Sequence, residues 1–268
     1  MSRFSRRTFL GAALLGAAGC DPQRPHEGFL GAMERWNDGA QRLLFRKGKL
    51  ARDERTLTNL EAFPVYHISD DVPSAPAGWK LEVKGLCARP LSLSVDDLRK
   101  MARTDIRVRH YCVEGWSAVA SWHGVRLSEI ARIAGADPKA RFVEFRSFDA
   151  TGSEDDDDDD DEASDDAEAS DTPEHEPDAK EAPGAAPQAG RMPYYSCWDR
   201  DSAEHPQSIL AYGMNGRDLM PDHGAPVRLY SGVKLGYKMV KYLSEVIYLP
   251  ARSGGFWEDQ GYEWFAGV

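Results

Sequence analysis

Of the four cysteines in this 268-residue chain, Cys112 has the surroundings best suited to chemistry. It closes the run Arg107-Val108-Arg109-His110-Tyr111-Cys112, and positive charge beside a thiol lowers its pKa and favours the thiolate. A thiolate here has two uses. It can bind a soft or high-valent metal, which then keeps it deprotonated. It can also act as a nucleophile, which calls for a base such as His110, His123, His205 or His223. No family-specific nucleophile signature surrounds Cys112. The cysteines form no CxxC pair and no Cys/His spacing typical of zinc. Cys87 and Cys197 are compatible with a disulfide in an exported protein, and equally with two separate thiols.

The elements that must position this segment are short and mixed. Phe29, Met33, Trp36, Ala40, Leu43 and Leu44 recur at helical spacing and predict an amphipathic helix over 27–45. Gly48 to Thr58 reads as a polar loop. Trp79 to Gly85 reads as a strand, and Ser94 with Asp97 as a helix cap opening a short helix through Met101. A second short helix runs from Leu127 to Ala134 and stops at Gly135. Arg141 to Asp149 alternates as a strand, with Val143, Phe145 and Ser147 on one face. Pro226 to Ser231 and Lys238 to Leu249 read as two more. Without a regular βαβ period, this pattern predicts an α+β domain and not a doubly wound sheet.

Charge is segregated along the chain. The formal net charge is −11, yet residues 153–190 hold 17 Asp or Glu against one Lys, leaving +5 for the rest. That segment, with seven consecutive Asp, has too little apolar surface to offset chain entropy and reads as a disordered insert. A homopolymer run lacks the spaced ligands and turn glycine of a calcium loop. The body is nearly neutral and shows no basic face for nucleic acid. At the N-terminus, Ser5-Arg6-Arg7-Thr8-Phe9-Leu10 precedes a short apolar stretch, as in a twin-arginine export signal. Gly19-Cys20 is similar to a lipoprotein cleavage site, which would make Cys20 a lipid anchor and the only membrane attachment expected. The expected organisation is an export signal over 1–20, a helix and linker over 21–54, and one domain over 55–268 interrupted by 153–190.

His110-Tyr111-Cys112-Val113-Glu114-Gly115-Trp116-Ser117, followed by Trp122-His123-Gly124 and Leu127, resembles the molybdenum-ligand segment of the sulfite oxidase superfamily. More narrowly it resembles the bacterial oxidoreductases that share this molybdopterin-binding domain, among them the periplasmic methionine-sulfoxide reductase catalytic subunit. His205-Pro206-Gln207 with Leu210-Ala211-Tyr212 and Met214-Asn215-Gly216 is similar to the family's central segment. His223-Gly224-Ala225-Pro226-Val227-Arg228 is similar to its next one, and Gly236-Tyr237-Lys238 with Lys241-Tyr242 to its pterin-phosphate segment. The closing Gly255-Phe256-Trp257-Glu258 and Gly261-Tyr262-Glu263-Trp264 is similar to that of short members.

The resemblance implies a sulfite-oxidase-type fold of mixed β-sheets with short helices, and a Mo-molybdopterin cofactor. Cys112 would be the protein ligand to molybdenum and the catalytic centre. The pterin phosphate needs cations and N–H donors, for which Arg228 and Lys241 match, with Gly236, Met239 and Val240 close by. Tyr66, His67, Ser147 and His223 would contact the pterin. The implied activity is oxygen-atom transfer in the periplasm or at the outer face of the cell membrane. Its substrate would be a small sulfur compound or a sulfoxide, free or protein-bound, and its electrons would pass through a separate haem- or quinone-linked partner. Two departures leave the substrate open. Tyr111 and Gly115 stand where the methionine-sulfoxide reductase branch has Arg and Ala, and the set of arginines expected of a sulfite oxidase is not found. An Arg-rich cleft would favour oxidation of a sulfur oxyanion; an aromatic mouth built from residues such as Trp116, Trp122 and Tyr195 would favour sulfoxide reduction. Two other classes compete: a secreted binding module that kept the fold without cofactor, and a thiol enzyme pairing Cys112 with a histidine.

Overall fold

The computed structural model describes residues 28–59, 63–151 and 192–268. The export signal, Cys20 and the acidic stretch 153–190 lie outside the described residues.

The chain opens with α1 (Gly28–Leu44), followed by β1 (Leu81–Gly85), β2 (Leu91–Leu93), α2 (Val95–Arg99), β3 (Arg103–Tyr111), β4 (Ser117–Arg126) and α3 (Leu127–Ala134). Next come β5 (Phe142–Ala150), β6 (Pro193–Asp199), α4 (Arg200–Ala203), β7 (Ser208–Met214), β8 (Arg217–Asp218), β9 (Arg228–Ser231) and β10 (Leu243–Leu249). Local chemistry sets the short helices. Ser94 and Asp97 form a reciprocal capping box at α2, which satisfies two otherwise orphaned backbone donors. Gly135 ends α3 in the left-handed conformation, φ 64°, where a side chain would be strained.

The strands make two five-stranded sheets. The first runs β2-β1-β10-β5-β6, and the second runs β3-β4-β7 with β8 and β9 sharing the far edge of β7. Among the described residues only the β1–β10 pair is parallel. The architecture is therefore α+β with mixed sheets. One apolar core joins Val83, Phe145, Trp198 and Val246 of the first sheet to Val125, Leu210 and Leu229 of the second, closed by Leu127 and Ile130 of α3. A second core under β3 and β4 gathers Phe63, Val108, Ala120, Trp122, Tyr230 and Met239. The second core is the floor of the site described below.

Several expectations change. The strand expected over Lys238–Leu249 begins only at Leu243, because Gly236–Lys238 is a turn of 3-10 helix and Tyr242 takes a positive φ of 52°. The loop at 48–58 has no regular structure but is docked: Glu54 N–H donates to Arg107 O at 3.0 Å and Thr58 N–H to Val119 O at 2.9 Å. Cys87 and Cys197 are separate free thiols, Cys197 being buried. α1 forms where the periodicity places it, but its polar edge faces the body. Asp38 bonds Arg252 at 2.8 Å and accepts the Phe265 N–H at 3.2 Å, while Asn37 and Gln41 both donate to Glu263.

Candidate functional site

Cys112 lies in the turn that joins β3 to β4. The nine-residue pairing of these strands runs from Arg103↔Val125 to Tyr111↔Ser117. The turn closes with Cys112 N–H donating to Trp116 O at 3.0 Å and Gly115 N–H to Cys112 O at 3.1 Å. Gly115 has φ 90°, a conformation that favours a residue without Cβ. Side chains alternate along β3. Ile106, Val108 and His110 are buried, whereas the alternate residues Arg107, Arg109 and Tyr111 are more exposed and face outward. Cys112 continues the inward series, and the thiol opens on a cleft of about 260 Å³.

That alternation overturns one expectation. Arg107 and Arg109 point away from the thiol and pair with Asp53 at 3.6 Å and Glu54 at 3.3 Å. His110 does line the cleft, but burial, assisted by Arg228, pushes its pKa down to about 3, so it is neutral. Nothing positive therefore activates the thiol. Its pKa is raised, chiefly by burial, with the Glu114 carboxylate adding to the effect. Glu114 Oε2 lies 3.7 Å from Cys112 Sγ and accepts the Trp116 indole N–H at 3.0 Å. Bonds from Trp116 and Tyr66 hold the Glu114 pKa below its usual value.

The cations sit elsewhere on the cleft wall. Arg228 starts β9, and Leu229 N–H donates to Val240 O at 2.8 Å, so the 240–241 segment runs beside β9 and brings Lys241 to Arg228. Gly224, at φ 98°, makes this approach possible: a Cβ there would lie 2.9 Å from Lys241 Cβ and 3.3 Å from Arg228 Cβ. The Arg228 guanidinium lies 4.9 Å from the Trp122 ring centroid and donates to His223 O at 3.1 Å. Lys241 Nζ donates to Asp222 O at 3.2 Å. Among the described residues neither cation is within salt-bridge distance of a carboxylate. Their pKa values fall, chiefly through burial, to about 10 for Arg228 and about 7 for Lys241. Two adjacent cations with no carboxylate in contact, Asp149 and Asp222 acting on Lys241 only from farther off, suit a bound anion.

Eight of the ten residues singled out from sequence line this one cleft: Tyr66, His67, Cys112, His223, Arg228, Gly236, Met239 and Lys241. Ser147 and Val240 do not. Val240 is fully buried in the main core. The Ser147 hydroxyl donates to Lys241 O at 2.8 Å, with Tyr242 O at 3.2 Å, and accepts the Asp149 N–H. Ser147 therefore shapes the backbone that carries Lys241 and does not face the cleft. Tyr66 is exposed and stacked on Trp116, centroids 6.4 Å apart, which places it at the rim.

The mouth also differs from expectation. Trp116 lines it, but Trp122 is fully buried beneath Arg228, and Tyr195 bonds Asp259 away from the cleft lining. Tyr194, Tyr237, Trp257 and Tyr262 take their place. Sequence reasoning also missed Asp149, which accepts the Ile68 and Ser69 N–H groups at 3.1 Å each and so ties the His67 loop to the end of β5. The signals were present: Trp257 and Tyr262 stand in the closing aromatic motif, and Asp149 ends the strand expected there. Gly236 has a steric reason, because a Cβ on it would lie 2.6 Å from His110 Nε2.

A single partly buried thiol, a pair of unpaired cations and neutral imidazoles define a pocket for an anionic organic cofactor that takes one sulfur ligand from the protein. The residues fit such a group. Among the described residues no cluster of three or more His, Cys, Asp or Glu could hold a metal unaided, and the buried His110 Nδ1 on the cleft wall lacks a partner. The family model for the oxidoreductase molybdopterin binding domain matches residues 69–257. The chain belongs to that family: it is a molybdopterin-dependent oxidoreductase. It is 31% identical to an Azospira oryzae protein named for a protein-methionine-sulfoxide reductase subunit, over 98% of this chain and 88% of that one. It is 30% identical to the protein-methionine-sulfoxide reductase catalytic subunit of Xanthomonas axonopodis pv. citri, over 68% of this chain. The aligned part spans about half (48%) of that relative. The sulfane dehydrogenase of Paracoccus pantotrophus aligns with a TM-score of 0.46 at 18% identity, covering 65% of this chain and 38% of that one.

Proposed function

We propose that this chain is a cell-envelope enzyme, exported by its twin-arginine signal, that reduces sulfoxides such as methionine sulfoxide, free or within proteins. The carrying observation is the lining of the cleft. Among the described residues its only arginine is Arg228, which the cofactor would occupy, while Tyr66, Trp116, Tyr194, Tyr237, Trp257 and Tyr262 make the walls aromatic. A sulfur oxyanion would need further cations; a neutral thioether-type substrate is suited by apolar and aromatic contact. The names of the Azospira and Xanthomonas relatives support the same substrate.

In this reading Cys112 is the protein ligand to molybdenum. Arg228 and Lys241 take the pterin phosphate, and His67, His223 and the Gly236–Met239 backbone take the pterin. Ser147 and Val240 support Lys241 from behind. The bound cofactor supplies two-electron oxygen-atom transfer. Reduction breaks the S–O bond and yields thioether and water, consuming two electrons and two protons. The electrons come from a separate haem- or quinone-linked partner. At the rim, Glu114 holds Tyr66 and Trp116 in place over the thiol. Tyr66 keeps its proton, because the Glu114 bond raises its pKa. The domain itself spans 55–268, interrupted in sequence by the acidic insert 153–190.

The test is production in a host that makes the cofactor. Wild type should contain molybdenum and pterin, and Cys112→Ser should lose molybdenum. With an artificial electron donor, wild type should reduce sulfoxides. Metal-free wild type would end the cofactor assignment; oxidation of sulfite with no sulfoxide reduction would end the substrate assignment.

A further inference from the structure

α1 is amphipathic in the reverse of the usual sense, in which the apolar stripe meets the core. Its polar edge is docked on the C-terminal segment through Asp38, Asn37 and Gln41. Its apolar stripe faces out. Met33 is 47% exposed, Trp36 68%, Leu43 85% and Leu44 76%. At 3.6 residues per turn these four side chains share one face. A polar-in, apolar-out helix gains nothing from its own fold by carrying these residues.

We propose that the outer face of α1 is a membrane-docking surface that lies flat in the interfacial layer of an anionic bilayer. Three observations single out this occupant. Exposed Arg46 and Lys49 follow directly after the C-terminal end of the stripe, and apolar side chains accompanied by cations are what an interfacial helix needs. Trp36, the largest residue of the stripe, carries an amphipathic ring of the type enriched at headgroup level. The chain preceding the helix is itself membrane-directed in sequence: an apolar stretch ends at Cys20, and seven residues, hence eight chain steps, separate Cys20 from Gly28. Fully extended, that linker reaches at most about 29 Å, so an end held at the membrane delivers the stripe to the same surface. α1 is too short and too polar to cross; among the described residues no helix is long and apolar enough to span a bilayer. Docking has a consequence for the site. Glu263, which anchors the inner edge of α1, follows Tyr262 of the cleft wall, so one C-terminal segment links the docked helix to the cleft.

The experiment uses the full chain carrying Cys20→Ser, so that no lipid anchor contributes, and sedimentation with vesicles of phosphatidylcholine alone or with about one-third phosphatidylglycerol. The stripe variant is Trp36→Gln/Leu43→Gln/Leu44→Gln, and the charge variant is Arg46→Glu/Lys49→Glu. All five side chains are exposed, and unchanged circular dichroism and melting confirm that α1 stays folded. The expected result is binding to the anionic vesicles that falls roughly tenfold or more in the stripe variant, and a charge variant that loses the preference for anionic lipid. Equal binding by wild type and the stripe variant would overturn the proposal, because the N-terminal apolar stretch would then be the membrane contact. So would a wild type that ignores vesicles and instead dimerises, or binds a protein partner, through the stripe.

Discussion

Arg228 separates a cofactor-binding role from a structural one, because its contributions to the empty protein nearly cancel. The side chain is 5% exposed, and burial lowers its pKa from 12.5 to about 10. At 1.36 kcal/mol for each pKa unit, holding that charge costs on the order of 3 kcal/mol. Against this stand two contacts. The guanidinium lies 4.9 Å from the Trp122 centroid and 5.8 Å from that of Tyr230, a desolvated cation–π arrangement worth up to about 2 kcal/mol. Its bond to the His223 carbonyl adds about 1 kcal/mol. Arg228→Met should therefore leave the apoprotein within about 1 kcal/mol of wild type, a melting shift of no more than about 4 °C for a chain of this size. The sign does not depend on ordinary pH. A depressed arginine pKa makes the cost fully present below about 10, so the comparison holds from acidic to mildly alkaline buffer.

Cofactor retention should respond very differently. Loss of a charge-assisted contact to phosphate is worth roughly 1.5–3 kcal/mol, or about one to two orders of magnitude in affinity. The assay pairs calorimetric melting of both proteins made without cofactor with molybdenum content of both made in a cofactor-producing host and then dialysed. A melting temperature lowered by more than about 8 °C would make Arg228 a structural residue. Molybdenum content equal to wild type would remove it from the cofactor site.

Gly236→Ala should place a methyl group 2.6 Å from His110 Nε2; overpacking of this kind costs roughly 1–3 kcal/mol, and both melting and molybdenum content should fall. Gly115→Ala, whose Cβ meets nothing within 4 Å, is the control and should show only backbone strain. Lys241, with its pKa lowered to about 7, should make anion binding by the apoprotein weaken as pH rises from about 6 to about 8.5. Sulfate, which keeps its charge over that range, is the probe in a thermal-shift titration, and Lys241→Met should abolish the pH dependence. Since Lys241 is depressed, the cost of its charge in the empty protein is present below about pH 7 and relieved above it, opposite to the trend for ligand binding. Cys112 in the apoprotein, with its thiol pKa raised, should react with iodoacetamide at neutral pH more slowly than an unstructured cysteine, as followed by mass spectrometry; a fast reaction at neutral pH would contradict the burial argument.

The residue set was more legible in the sequence than the directions in which it points. Motif spacing brought eight of ten residues to one cleft because each motif sits at a strand end or turn that the sheets converge on. Ser147 and Val240 escaped because adjacent residues of an extended segment face opposite sides, and a motif does not say which side is the cleft. The same alternation turned Arg107 and Arg109 toward Asp53 and Glu54, where a linear reading placed them beside Cys112. In α1 the period was visible and its orientation was not, since orientation depends on partners more than 200 positions away, such as Glu263 and Arg252. β7 was hidden for another reason: all seven of its residues are buried, so it has no alternation to read.

These directions also bear on what kind of thiol Cys112 is. A nucleophilic cysteine needs a base beside it and a depressed pKa. Its neighbours supply neither: its own pKa is raised, and His110 and His223 are held neutral with pKa values near about 3 and about 4. The remaining candidates are committed elsewhere, His205 to Lys49 O at 3.1 Å and His123 packed against Gly213 and Tyr212. The carboxylate of Glu114, 3.7 Å away, works further against a free thiolate. A cation able to outweigh burial and that carboxylate must come with the ligand, and a high-valent metal is such a cation. Arg228 and Lys241, the cleft cations with no carboxylate in salt-bridge range among the described residues, are then left for the other end of the cofactor, where the charge is negative. Sulfur for the metal and cations for the phosphate are thus kept on separate elements, the β3–β4 turn and the β9 edge, and the cleft between them has the polarity of the molecule it is built to hold.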